Sequence, residues 1–208
     1  MATVTRRSWL LTLGVAPVAG GLAAWAQVPR PAHAGHVLSA RERIQQHHLP
    51  NVDVVTHTGR RVRFYDDLVK DKKVIINFMY AKCDGICVPV TMNLARVRQR
   101  LGDRVGRDIF MYSITLKPAE DSVEALRQYR QDHGIEGDDW LFLTGAPGDI
   151  DHLRRSLGFA FADPVEDADT SNHIGMLRYG VEPLVKWAAC PGMASTDHLV
   201  KTILWDLG

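Results

Sequence analysis

Val74-Ile75-Ile76-Asn77-Phe78-Met79-Tyr80-Ala81-Lys82-Cys83-Asp84-Gly85-Ile86-Cys87 carries the two features around which this chain is organised. Residues 74–80 are an almost unbroken apolar run, the pattern of a strand covered on both faces. From around Pro89 the apolar residues Met92, Leu94, Val97 and Leu101 take up helical spacing. Cys83 and Cys87 therefore stand in the turn between a buried strand and a helix N-terminus. There, unpaired N–H groups and aligned peptide dipoles favour thiolate over thiol. Asp84-Gly85 between the cysteines favours a tight turn. Three residues separate the thiols, one more than in the C-x-x-C redox motif. The added residue widens the pair, which eases joint coordination of an ion without forbidding a disulfide. Two chemistries are open at this point: a redox disulfide or a soft metal ion.

Working outward, Val52 to His57 alternates as a strand, Gly59 marks a turn, and Arg61 to Tyr65 alternates back, a hairpin pattern. After the thiols, Ile109 to Ile114 reads as a second buried strand. Asp121-Ser122-Val123-Glu124 opens a helix running to His133. Trp140 to Leu143 is a short strand closed by Gly145, and Pro147 to Leu157 a helix with Ile150, Leu153 and Leu157 on its apolar face. His173 to Tyr179 and Leu184 to Ala188 form a late strand pair, and Ser195 caps a last helix through Leu204. Gly102, Gly106 and Gly134 are helix-ending or turn residues. This order predicts an α/β, thioredoxin-like sandwich: a mixed central sheet flanked by helices, with an N-terminal hairpin. There is no Gly-rich phosphate loop and no Ser-His-Asp arrangement.

The composition, 46% hydrophobic and 24% charged with a formal net charge of +1, fits a globular domain and argues against disorder or nucleic-acid binding. With 3 cysteines the chain is not a disulfide-stapled scaffold. Thr5-Arg6-Arg7-Ser8-Trp9-Leu10-Leu11 is a twin-arginine pattern followed by a mildly apolar stretch to Trp25. Gly14, Pro17, Gly20 and Gly21 make that stretch a poor membrane helix. Small-residue cleavage patterns follow at Ala24-Trp25-Ala26 and Ala32-His33-Ala34. Residues 1–34 are thus expected to be a twin-arginine export signal, cleaved after 26 or 34, that sends the folded protein to the periplasm. No cysteine lies near the cleavage region, so a lipoprotein anchor is not expected. Removal of residues 1–34 takes away Arg6, Arg7 and Arg30 and no acid, changing the net charge from +1 to −2. Residues 35–50 are expected to form a His-rich linker and 51–208 the folded domain. Four of the nine histidines (His33, His36, His47 and His48) fall in the Pro/Ala/His-rich segment 27–50, read as a solvated arm rather than a metal site.

Two soft thiolates hold Cu(I), and a third ligand closes such a site; sulfur with one imidazole suits Cu(I) or Zn(II) and serves hard cations poorly. His173 is the best candidate outside the arm, in the polar stretch Asp169-Thr170-Ser171-Asn172-His173 that feeds a strand. Cys190 is the odd thiol, read as a core residue, with a resolving thiol or a fourth sulfur as its functional alternatives. Met79, Met111 and Met176 read as core fillers, His133 and His198 as surface residues, and Asp84 as an exposed turn acid.

The run Asn77 to Cys87, with a single downstream histidine before a Gly and a strand (His173), resembles the signature of the Sco/SenC family over roughly residues 50–207. The resemblance implies a thioredoxin-like copper protein with Cys83, Cys87 and His173 as ligands; Cu(I) is the expected state, with Cu(II) the open alternative. It implies a metallochaperone that delivers copper to a respiratory enzyme of the cytochrome c oxidase type. The alternative it carries is a thiol-disulfide reductase; with Cys83 read as the more exposed thiolate, Cys83 is expected to attack and Cys87 to resolve. The implied partner is a copper-accepting periplasmic or membrane enzyme domain; neither nucleic acid nor a strong membrane anchor is expected, and the protein is read as a monomer. Two departures stand out. Val88 separates the second cysteine from Pro89. The strand that ends in Asp-Pro in the family reads here Ser113-Ile114-Thr115-Leu116-Lys117-Pro118, so that acid is missing.

Overall fold

The apolar runs read from the sequence become the central strands of a seven-stranded sheet. The computed structural model describes residues 37–169 and 175–208, with Leu38–Gly208 forming one compact unit. In chain order the elements are helix α1 (Ala40–His48), strands β1 (Asp53–Thr56), β2 (Arg61–Arg63) and β3 (Lys73–Met79), helix α2 (Cys87–Leu101), strand β4 (Ile109–Thr115), and helix α3 (Val123–Asp132). Strand β5 (Trp140–Gly145), helices α4 (Pro147–Ser156) and α5 (Pro164–Ala168), strands β6 (Met176–Val181) and β7 (Lys186–Pro191) and helix α6 (Thr196–Leu207) complete the order.

The sheet order is β2-β1-β5-β4-β3-β6-β7. β3, β4 and β5 run parallel, joined through α2 and α3, while β6 and β7 add antiparallel on one side and β1 and β2 on the other. This is the thioredoxin-like mixed sandwich with an N-terminal hairpin. β3 is hydrogen-bonded on both edges, and Val74 to Met79 are all buried, which is why its sequence shows a continuous apolar run rather than alternation. Asn77 interrupts that run without an unpaired group. Ser113 Oγ donates to Asn77 Oδ1 at 2.7 Å and Trp140 Nε1 donates to Ser113 Oγ at 3.0 Å, a polar chain across β3, β4 and β5. α2 buries Cys87, Val90, Thr91, Leu94, Val97 and Leu101, a helical stripe that packs it to the sheet. Met79 and Met111 are buried, as expected of core residues.

Local readings change in two places before the thiols, and a short helix is added after α4. Residues 40–48, read within a linker, form α1, opened by a reciprocal capping box between Ser39 and Glu42. Arg61 to Tyr65 does not continue as a strand: β2 stops at Arg63, and Phe64–Val69 closes a π-helical turn. The burial of Phe64, Tyr65, Leu68 and Val69 explains the switch, since that spacing matches a helical turn and not an alternating strand. The short helix α5 follows Asp163, whose side chain caps Val165 N–H.

Candidate metal centre

β3 ends at Met79, and α2 begins at Cys87 rather than near Pro89. The turn between them therefore carries Cys83 in its middle and puts Cys87 in the first turn of the helix. Pro89 is tolerated there because the first four helical N–H groups have no intrahelical acceptor. No side chain of Ile86 caps α2. The Cys83 sulfur takes that place, accepting from the N–H groups of Gly85 and Cys87, from the Cys87 thiol and from the Tyr80 hydroxyl. The two sulfurs are thus in direct hydrogen-bond contact.

The pair is asymmetric. Cys83 is 7% exposed and Cys87 1%. Burial alone would push the Cys83 thiol up, but the hydrogen bonds from Cys87, Gly85 and Tyr80 outweigh it and bring the group below its ordinary value. Cys87 is driven strongly upward, first by burial and then by donating its proton toward Cys83. Tyr80 is raised to about 12, by burial and by its bond to Cys83, and Lys117 Nζ lies 4.3 Å from its ring centroid. Lys82, Asp84 and Gly85 are exposed, so the turn presents its outer edge to solvent.

A buried carboxylate stands behind the turn. Asp121 is 2% exposed, and its Oδ2 accepts from Ala81 N–H at 3.0 Å and from Thr115 Oγ1 at 2.5 Å. Burial raises its pKa against the lowering effect of those two bonds. Its charge is felt at Cys87. A cleft of about 480 Å³ lined by Pro118, Asp121, Ser122, Thr144 and Gly145 opens beside it. The sequence reading treated Asp121 only as the start of the following helix.

His173 lies outside the described residues, as do His33 and His36. The described chain resumes at Gly175, directly against the thiol turn. A Cβ on Gly175 would stand 2.5 Å from Ile86 Cδ1 and 3.4 Å from Val90 Cγ2. Gly192 N–H donates to Gly175 O at 2.7 Å, and a Cβ on Gly192 would meet Val90 Cγ1 at 2.9 Å. These close approaches, open only to glycine, seat the start of β6 on the first turn of α2. Cys190 is buried and raised to about 11, chiefly by burial. It pairs with Leu177, which pairs in turn with Asn77, so it sits two strands away from the middle of β3. His47 and His48 are exposed at the end of α1, His198 is exposed on α6, and Asp84 is exposed in the turn. Among the described residues no group of three His, Cys, Asp or Glu side chains is placed to hold a metal ion. Nor, among them, is any helix long and apolar enough to cross a membrane. Two contacting soft sulfurs, one held toward thiolate, suit a two-sulfur Cu(I) site or the dithiol of a redox couple.

A sequence model of the family described as SCO1/SenC matches residues 41–177. A Bacillus subtilis (strain 168) protein described as an SCO1 protein homolog is 25% identical over 77 residues. That match spans 37% of this chain and 39% of the relative, well under two thirds of the relative's length. Copper-bound ScoI of Arabidopsis thaliana superposes with a TM-score of 0.58 at 18% identity, covering 74% of this chain and 93% of that one. Yeast Sco1 gives 0.59 at 19% identity, covering 74% and 89%. A structure described as identifying a disulfide switch in BsSco, a member of the Sco family of cytochrome c oxidase assembly proteins, gives 0.57 at 18%, covering 74% and 89%. At these identities the superpositions establish the shared fold.

Proposed function

This chain belongs to the SCO1/SenC family, and on that footing we propose that it is a copper metallochaperone that takes Cu(I) between Cys83, Cys87 and His173. The observation that carries the reading is the contact of two soft sulfurs at the start of α2, with Cys83 drawn toward thiolate by four donors. The seat of Gly175 on Ile86 supports the third ligand, because His173 precedes Gly175 by two residues. Copper is the cargo here. Its uptake displaces the thiol protons, and the exposed edge of the turn lets an acceptor add its own ligands before Cys83 and Cys87 release theirs. Copper-bound relatives of the same fold support the choice of metal. Anaerobic titration of the reduced protein against a Cu(I) competitor should show about one Cu(I) per chain, with affinity at least about tenfold weaker in His173→Ala. Equal binding by His173→Ala and wild type rejects the three-ligand site.

The acceptor in this reading is a copper-accepting periplasmic or membrane enzyme domain, of the cytochrome c oxidase type named for the BsSco relative. Residues 1–34 serve as the twin-arginine signal that places the domain in the periplasm, and Arg6→Lys with Arg7→Lys should retain it in the cytoplasmic fraction. The asymmetry of the thiols favours one second reading, a thiol-disulfide reductase. In it the Cys83 thiolate attacks a partner disulfide, one partner sulfur leaves as thiolate, and Cys87 then displaces the other, leaving a Cys83–Cys87 disulfide. A Cys83–Cys87 couple too oxidising to reduce protein disulfides would remove that reading.

A further inference from the structure

Behind the thiol turn stands a buried carboxylate, Asp121. A single oxygen, Oδ2, joins three segments that are separate in sequence. It accepts from the N–H of Ala81, the second residue after β3 and two before Cys83, and from the hydroxyl of Thr115, the last residue of β4. It belongs itself to the lead-in of α3, where the neighbouring Ser122 caps the helix through Ala125 N–H. The Thr115 hydroxyl accepts in turn from Lys117 N–H at 2.9 Å, so both ends of this tie are fixed. A buried carboxylate without such donors would be costly. Here the donors are backbone and hydroxyl groups of the thiol turn and its neighbouring strand.

We propose that Asp121 is a positioning residue for the thiol pair: it clamps the start of the turn to the end of β4 and so sets where Cys83 stands relative to Cys87. The position of the family's Asp-Pro acid is held here by Lys117, before Pro118, and the carboxylate that the Thr115 hydroxyl meets at the end of β4 is that of Asp121. Asp121 touches neither sulfur through a described hydrogen bond and acts through Ala81. The inference deepens the copper and dithiol reading above and rests on it for the purpose of the site.

The test compares Asp121→Ala, which removes the acceptor, with Asp121→Asn, whose amide oxygen still accepts from Ala81 N–H and the Thr115 hydroxyl. The first readout needs no metal: equilibration in glutathione buffers, in which the disulfide plus two glutathiones gives the dithiol plus oxidised glutathione. Asp121→Ala is expected to shift that constant about tenfold toward the disulfide, equivalent to about 30 mV, and Asp121→Asn to stay near wild type. The second readout is Cu(I) competition, weakened about tenfold in Asp121→Ala and largely restored in Asp121→Asn. Unchanged constants in Asp121→Ala overturn the clamp; so does an Asn variant as impaired as Ala, which would assign the effect to charge. Should Asp121→Ala not fold, amide exchange of Ala81 in the unaltered protein decides, with protection expected and exchange at the unstructured rate refuting the bond. Failure of wild type to bind Cu(I) removes the copper reading and leaves the glutathione comparison to judge Asp121.

Discussion

At the scale of single residues, the thiols differ more than their shared motif implies. Cys83 collects the donors of the turn and Cys87 is sealed behind it, so one sulfur is prepared as thiolate and the other holds its proton. Alkylation of the reduced protein near pH 8 should therefore modify Cys83 at least about tenfold faster than Cys87, read by peptide mass mapping. Tyr80→Phe removes one of the four donors and should raise the Cys83 thiol pKa, measured by thiolate ultraviolet absorbance; an unmoved titration would show that the hydroxyl does not hold the thiolate. Because the Cys87 proton must leave for copper to enter, Cu(I) affinity should rise at least about tenfold per unit between about pH 6 and 8. A pH-independent affinity would mean that Cys87 does not ligate. The two cysteines were legible in the sequence because strand and helix patterns meet at them. Asp121 was not, because its partner Ala81 lies 40 positions away in the chain.

At the scale of elements, α1 departs furthest from its sequence reading. Ser39-Ala40-Arg41-Glu42 holds the capping signature in plain view, but the surrounding Pro, Ala and His residues read as a linker. The helix has no buried residue of its own. Leu49, just past its end, is buried, and Arg41 is anchored to the domain. Arg41 Nε and Nη2 donate to the two Glu182 oxygens at 2.8 and 2.5 Å, and Nη2 also reaches Asp71 Oδ1 at 2.5 Å. Glu182 is 2% exposed and accepts further from Tyr65 Oη and Asp71 N–H, both at 2.8 Å. Those donors outweigh burial and keep its carboxyl below the ordinary range. Arg41→Ala leaves this carboxylate without its cation and should cost about 2 kcal/mol in urea unfolding, less than a fully buried pair because Arg41 keeps part of its hydration. An unchanged urea midpoint would show that α1 is not fastened through this pair.

At the scale of the whole molecule, the β1–β2 hairpin is locked onto β5 and α3 through His57, a buried residue that the sequence reading passed over as the end of a strand. Its Nδ1 accepts from Phe142 N–H at 3.3 Å, and its Nε2 faces Arg130 and, at 3.5 Å, Asp138. Burial and the Arg130 charge lower its pKa from 6.5 to about 4, against the pull of Asp138. The unfolded chain therefore binds a proton between about pH 6.5 and 4 that the folded protein refuses, and stability falls as pH drops through that window. The loss should approach about 2–3 kcal/mol near pH 4, with protonation of the raised Asp121 pulling weakly the other way. His57→Gln should remove most of the slope in urea unfolding measured across that range; an unaltered slope would place the titration elsewhere. Periodicity along the chain was enough to establish the strand–turn–helix at the thiols, the alternation of strands and helices, and the class of sheet. Each follows from which faces of a local segment are apolar. It was not enough to say which thiol is the thiolate, that Asp121 grips Ala81, that α1 docks through Glu182, or that β1 lies antiparallel beside β5. Those outcomes depend on charges, donors and edges brought together from distant parts of the chain, and a pattern of local burial carries no record of which distant group will meet which.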